Sequence, residues 1–134
     1  MIKFTVEGQP TAKARPRFNG KRCYTPQKTA NYEELVKWCY GLGNNEKYET
    51  EPVECEIKAY YYIPKATSKK NRKLMLKNKI RPTKKPDCDN VSKIILDALN
   101  GLAYHDDSQV VKLTIEKLYG EVPRVEVVIK ELRY

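Results

Sequence analysis

Asp87-Cys88-Asp89-Asn90-Val91-Ser92-Lys93-Ile94-Ile95-Leu96-Asp97-Ala98-Leu99-Asn100-Gly101 is the stretch on which the fold turns. Val91, Ile94, Ile95, Ala98, Leu99 and Leu102 recur at the spacing of one helical face, and Gly101 supplies a stop, so the pattern predicts a helix over 90–100. A helix with one apolar face must bury it against another layer. At 100° per residue, Asp89, Lys93 and Asp97 fall within an ~80° arc on the opposite side. Asp87 and Asp89 flank Cys88 in a segment expected to be extended, which points both carboxylates the same way.

Downstream, the five residues after Leu102 would descend ~16 Å if extended, cancelling the ~16 Å climb of the helix. That arithmetic returns Asp107 to the level of Asp87 and Asp89, so that three carboxylates converge at the helix N-terminus. Val111, Leu113, Ile115 and Tyr119 then form the apolar face of one strand, and Val125, Val127 and Ile129 that of another. Gly120-Glu121-Val122-Pro123 turns between them, which predicts an antiparallel hairpin.

Upstream, Ile2, Phe4 and Val6 alternate with polar residues as in a half-buried strand. Residues 8–24 read as a long basic loop. Thr25-Pro26 is a helix start, followed by Tyr32, Leu35, Val36, Cys39 and Tyr40 at helical spacing. Val53 to Ile63 alternates again and stops at Pro64, and 67–79 reads as a basic helix. The expected architecture is a single α+β domain over residues 1–134. It has a mainly antiparallel or mixed sheet of about four strands packed with three helices, in the order β-α-β-α-α-β-β.

The chain has 134 residues, with 26 Lys and Arg against 17 Asp and Glu, a net charge of +9. That length suits one core. No apolar run approaches the ~18–20 residues of a spanning helix, and the N-terminus lacks the apolar block of a signal peptide, so no membrane partner and a cytoplasmic location are expected. Cys23, Cys39, Cys55 and Cys88 are widely spaced and His105 is the sole histidine, which argues against zinc and against a disulfide framework.

Charge is unevenly placed. Residues 8–32 carry six cations and residues 65–85 carry ten, neither with an acid, whereas all five aspartates fall between 87 and 107. Uncompensated cations on this scale suit a polyanion, most simply nucleic acid. Candidate phosphate contacts are Lys13, Arg15, Arg17, Lys69, Lys70, Arg72, Lys73, Lys84 and Lys85. Converging carboxylates repel one another unless a cation binds, and oxygen donors without Cys or His suit Mg²⁺, with Mn²⁺ as a substitute. Such a site beside a phosphate-binding surface fits metal-dependent phosphodiester cleavage, with Lys93 neutralising developing charge. The residues alone leave two alternatives open: a non-catalytic basic DNA- or junction-binding protein, and a small phosphotransferase using Asp87 and Asp89. The phosphotransferase would lack the usual Gly-rich phosphate loop.

The ordered series Lys85-Pro86-Asp87-Cys88-Asp89-Asn90-Val91-Ser92-Lys93, Asp97-Ala98-Leu99-Asn100-Gly101 and Asp106-Asp107-Ser108-Gln109-Val110 resembles the RusA-type Holliday junction resolvases, the crossover junction endodeoxyribonucleases. Pro10-Thr11-Ala12-Lys13-Ala14-Arg15-Pro16-Arg17 and Tyr24-Thr25-Pro26 are similar to the N-terminal region of phage and prophage members. The resemblance implies a homodimer that cuts branched DNA by paired symmetrical nicks with Mg²⁺ and no small-molecule cofactor, in recombination and repair. It also implies metal-binding aspartates at Asp87, Asp89 and Asp107 and an essential lysine at Lys93. Asp97 is read as the partner that positions Lys93, Asp106 as a supporting residue, Cys88 as a buried small side chain, and His105 as a loop residue.

Overall fold

The computed structural model describes residues 1–13, 17–20, 22–24 and 27–133, with backbone alone at 17–19 and 22–24. The Thr25-Pro26 helix start lies outside the described residues. In chain order the elements are β1 (Ile2–Glu7), β2 (Arg17–Asn19), β3 (Arg22–Tyr24), α1 (Gln27–Gly41), β4 (Val53–Tyr62), α2 (Lys69–Leu76), α3 (Cys88–Ala98), a 3₁₀ turn (Asp107–Gln109), β5 (Val110–Gly120) and β6 (Arg124–Glu131). This is the expected α+β architecture, with one addition. The basic loop folds part of its length into a two-stranded antiparallel hairpin, β2–β3.

The main sheet runs β1-β6-β4-β5. Val53, Cys55, Ile57, Ala59 and Tyr61 of β4 are buried on one face, as are Ile2, Phe4 and Val6 of β1 and Val125, Val127 and Ile129 of β6. Helices α1 and α3 cover that face through Tyr32, Val36 and Tyr40 and through Val91, Ile94, Ile95 and Ala98. The strict alternation Ile2-Lys3-Phe4-Thr5-Val6-Glu7 in β1 thus alternates buried with exposed side chains, with Lys3 and Thr5 on the solvent face. Among the described residues no helix is long and apolar enough to cross a membrane.

The expected β5–β6 hairpin does not form. β4 lies between the two strands, parallel to β5 and antiparallel to β6. β4 takes a central position, and residues 121–123 bridge two strand spacings of ~4.8 Å each. β5 is therefore an edge strand, and Val111 and Leu113, expected on its buried face, are 57% and 42% exposed.

Candidate active site

The first turn of α3 is where structure and sequence reading diverge usefully. The segment at Asp87–Asp89 is not extended throughout: Asp87 is the N-cap and the helix begins at Cys88. Val91 N–H donates to the Asp87 carbonyl at 3.0 Å, which draws Asp89 into the first turn. An N-cap aspartate ordinarily spends its side chain on an exposed N–H of that turn, worth about 1 kcal/mol. Asp87 makes no such bond. Both carboxylates are exposed, and among the described residues neither takes a hydrogen bond or ion pair.

The chain ahead of α3 is pinned from beneath. Tyr61, fully buried on β4, donates its hydroxyl to the Pro86 carbonyl at 2.5 Å, next to a cis Lys85–Pro86 peptide. Burial first, then the negative character of Cys88 and Asp87, pushes the Tyr61 phenol up to about 12. Above it lies a groove of about 270 Å³, bounded by residues 10–12 and by Lys28, Lys85, Asp87 and Asn90. A helix N-terminus flanked by two lysines favours an anion.

Asp107 does not follow the expected descent. Leu102 and Ala103 N–H both donate to the Leu99 carbonyl, at 3.0 and 3.1 Å, and Gly101 N–H donates to Tyr104 O at 2.9 Å. Gly101 adopts φ 79°, a conformation that favours glycine. Tyr104 is fully buried and donates its hydroxyl to Leu96 O at 2.5 Å. This tight return keeps the chain at the C-terminal end of α3. Asp107 N–H donates to Asn100 Oδ1 at 2.8 Å, and its carboxyl is hydrogen-bonded with Asp97 and Asn100. Burial, the neighbouring Asp106 and Asp97 charges, and the Asp97 hydrogen bond raise the Asp107 carboxyl above the usual range. The three-carboxylate convergence expected from strand arithmetic is thus not formed, and Asp107 meets Asp97. Among the described residues, no three His, Cys, Asp or Glu side chains lie close enough to hold a metal ion.

Asp106 caps the 3₁₀ turn, accepting from Ser108 N–H at 3.1 Å while Gln109 Oε1 accepts from Asp106 N–H at 3.0 Å. Those Ser108 bonds hold the Asp106 carboxyl below its ordinary value. His105 is exposed, and its backbone N–H donates to Gln109 Oε1 at 2.8 Å. Cys88 is half-buried.

The cations divide into committed and uncommitted groups. Lys93 Nζ lies 3.7 Å from Asp97 Oδ2. Lys13 Nζ approaches the same oxygen at 3.5 Å and both Glu33 oxygens at 3.2 Å. Arg72 meets Glu121 at 3.7 Å, Lys84 lies 4.4 Å over the Tyr62 ring, and Lys85 borders the groove beside Asp87. By contrast Lys69, Lys70 and Lys73 line an open groove of about 430 Å³ on α2 and carry no ion pair among the described residues. Arg15 lies outside the described residues, and only the backbone of Arg17 is described. Sequence reasoning passed over Glu33, Asn100 and Tyr61. Asn100 lay within a quoted motif, but nothing in the pattern of α1 or β4 pointed to the other two.

The family model described as endodeoxyribonuclease RusA matches residues 7–130. The Bacillus subtilis (strain 168) protein named "Uncharacterized protein YqaN" is 44% identical over 137 residues, covering 98% of this chain and 96% of the relative.

Proposed function

Because the chain belongs to the RusA endodeoxyribonuclease family, whose members resolve Holliday junctions, we propose that it acts as a homodimer, cutting four-way DNA by paired nicks that depend on Mg²⁺. One observation carries the reading: Asp87 caps α3 without spending its carboxylate, the Asp89 carboxylate beside it has no partner among the described residues, and Asp107 is crowded by Asp97. Carboxylates left unpaired or in mutual repulsion are suited to a cation. In this reading Asp87 and Asp89 offer donors at the start of α3 and Asp107 offers one at its other end, so that a single ion is not shared by all three among the described residues. Hard oxygen donors without Cys or His suit Mg²⁺ or Mn²⁺, and Mg²⁺ is commonly satisfied by one or two carboxylates with substrate phosphate and water. Carboxylates grouped at two places along α3 fit that requirement without a closed protein cage.

When bound, the cation polarises the scissile phosphate and lowers the pKa of a water. The remaining work falls to the chain. Lys93, 62% exposed on its side chain, reaches toward the phosphoryl oxygens and offsets their developing charge. Asp97 holds Lys93 in place beforehand, and Asp106 fixes the turn that carries Asp107. The lysines of α2 take up backbone phosphates, so affinity falls steeply with salt. A junction has two-fold symmetry and needs one nick in each of two opposed strands, which two copies of one site provide.

The test is a labelled four-way junction incubated with the protein and Mg²⁺. Nicked duplexes are expected, EDTA should prevent them, and Asp89→Asn should bind the junction yet leave it uncut. Salt-sensitive binding without strand breaks under Mg²⁺ or Mn²⁺ would refute cleavage and favour the junction-binding alternative.

A further inference from the structure

Lys13 stands in the sequence as one more arm cation awaiting a phosphate, yet its geometry is that of an internal strut. Its backbone N–H donates to the Asn90 carbonyl in the first turn of α3 at 3.2 Å, while its ammonium reaches Asp97, seven residues further along the helix. Seven residues are about two turns, or ~10 Å of rise. One residue therefore spans α3 from the end holding Asp87 and Asp89 to the end holding Asp97 and Asp107. Glu33 on α1 grips the same ammonium through both oxygens. The side chains of Lys13, Glu33 and Asp97 are only 19%, 17% and 22% exposed, against 62% for Lys93.

The two ammonium groups on Asp97 are thus unequal. Both address Oδ2, but Lys13 is sheltered and tethered at each end, and Lys93 is open to solvent at the longer distance. A lysine that must move onto a phosphate has to leave its carboxylate, and an abandoned carboxylate in a half-buried place is costly unless another cation remains. We propose that Lys13 is a positioning residue: it stays on Asp97 as the resident counter-ion and so frees Lys93 to engage the substrate phosphate. The assignment rests on the cleavage reading above, and it takes Lys13 out of the set of DNA contacts.

The experiment compares the unsubstituted protein with Lys13→Met and Lys13→Arg under single-turnover conditions at saturating junction and Mg²⁺. Junction affinity is measured in parallel across a salt series, and thermal melting checks folding. Loss of a group that orients a reacting one typically costs 10–100-fold. Lys13→Met is expected to cut 10–100-fold more slowly with unchanged junction affinity and salt slope. Lys13→Arg should keep at least a third of the rate. In an Asp97→Asn background the carboxylate to be neutralised is gone, and adding Lys13→Met should cost less than about 2-fold.

Cutting by Lys13→Met at the unsubstituted rate would overturn the proposal. So would weaker binding with a salt slope reduced by about one at an unchanged single-turnover rate, the signature of a lost phosphate contact. If Lys13→Met fails to fold, Lys13→Arg decides: a folded protein below a tenth of the normal rate is the refuting result. Absence of cutting by the unsubstituted protein defeats the functional reading as well, and is seen before any variant is compared.

Discussion

Tyr61→Phe isolates the contact that ties the sheet to the start of the site. The ring is fully buried among β4 neighbours and its phenyl part is retained, so the change deletes one hydroxyl donating to Pro86 O at 2.5 Å. Pro86 is only half-buried, so water can reach its carbonyl, and the loss should stay near the ordinary net value of about 1 kcal/mol. With an unfolding entropy of ~2.1 cal/mol/K per residue, a chain of this length melts about 3–4 °C lower. The sign reverses in alkali. Burial raises the Tyr61 phenol to about 12, from 10.0 unfolded. Its share of stability is complete below pH 10 and drains away as pH rises toward 12, by about 2–3 kcal/mol in all. The Phe variant has no such loss, so the two stability curves should cross near pH 11. Urea unfolding followed by circular dichroism between pH 7 and 11.5 measures both effects. Parallel curves, or a melting change under 1 °C at pH 7, would refute the account of Tyr61. Because Asp87 directly follows Pro86, the variant should also need several-fold more Mg²⁺ for half-maximal cutting.

Asp107→Asn should abolish cutting while raising the melting temperature of the metal-free protein at pH 7–8. The folded carboxyl titrates above its unfolded value, chiefly because it is partly buried, so ionising it costs stability that the amide does not lose. The advantage should vanish as pH falls below about 4, where the acid is neutral in both states, and added Mg²⁺ should stabilise the parent more than the variant. Lys73→Gln, in the α2 groove, should weaken junction binding and lower the salt slope by about one while leaving the saturated cutting rate unchanged.

The strands and helices were legible because each buries a single face. The alternation of Ile2, Phe4 and Val6 and the helical spacing from Val91 to Leu99 survive unchanged as the burial pattern. Pairing order was not legible. A short turn between two strands reads as a hairpin, and nothing local announces that β4 intervenes. The placement of Asp107 failed for a related reason. An extended descent was the natural estimate for 102–107, but a buried Tyr104 and a left-handed Gly101 fold the segment into a knot of main-chain bonds. Residue identity singled out the candidate acids, and main-chain geometry decided which of them meet. The ion pair of Lys13 with Glu33 was not legible either, because the partner lies twenty positions away and no periodicity connects the two.

Two features of α3 run against its stability, and they lie at opposite ends. At the start, an aspartate occupies the N-cap and declines the capping bond. At the far end, a second aspartate is hydrogen-bonded to a third, with its carboxyl raised by that company. Either alone is an ordinary imperfection of a surface helix. Together they are harder to dismiss, because β4 pins the first from below through Tyr61 and the Tyr104 knot pins the second. Rigid support under groups that remain unpaired or in conflict is what a ligand-binding arrangement requires, since the cost of holding them apart from their preferred partners is met by the scaffold before the ligand arrives. Lys13 completes the pattern by bonding to both halves of the helix with one residue. The acids are therefore better regarded as two rigidly supported groups than as one collapsed cluster, and under the proposed function a DNA phosphate and a cation would complete what the isolated chain leaves open.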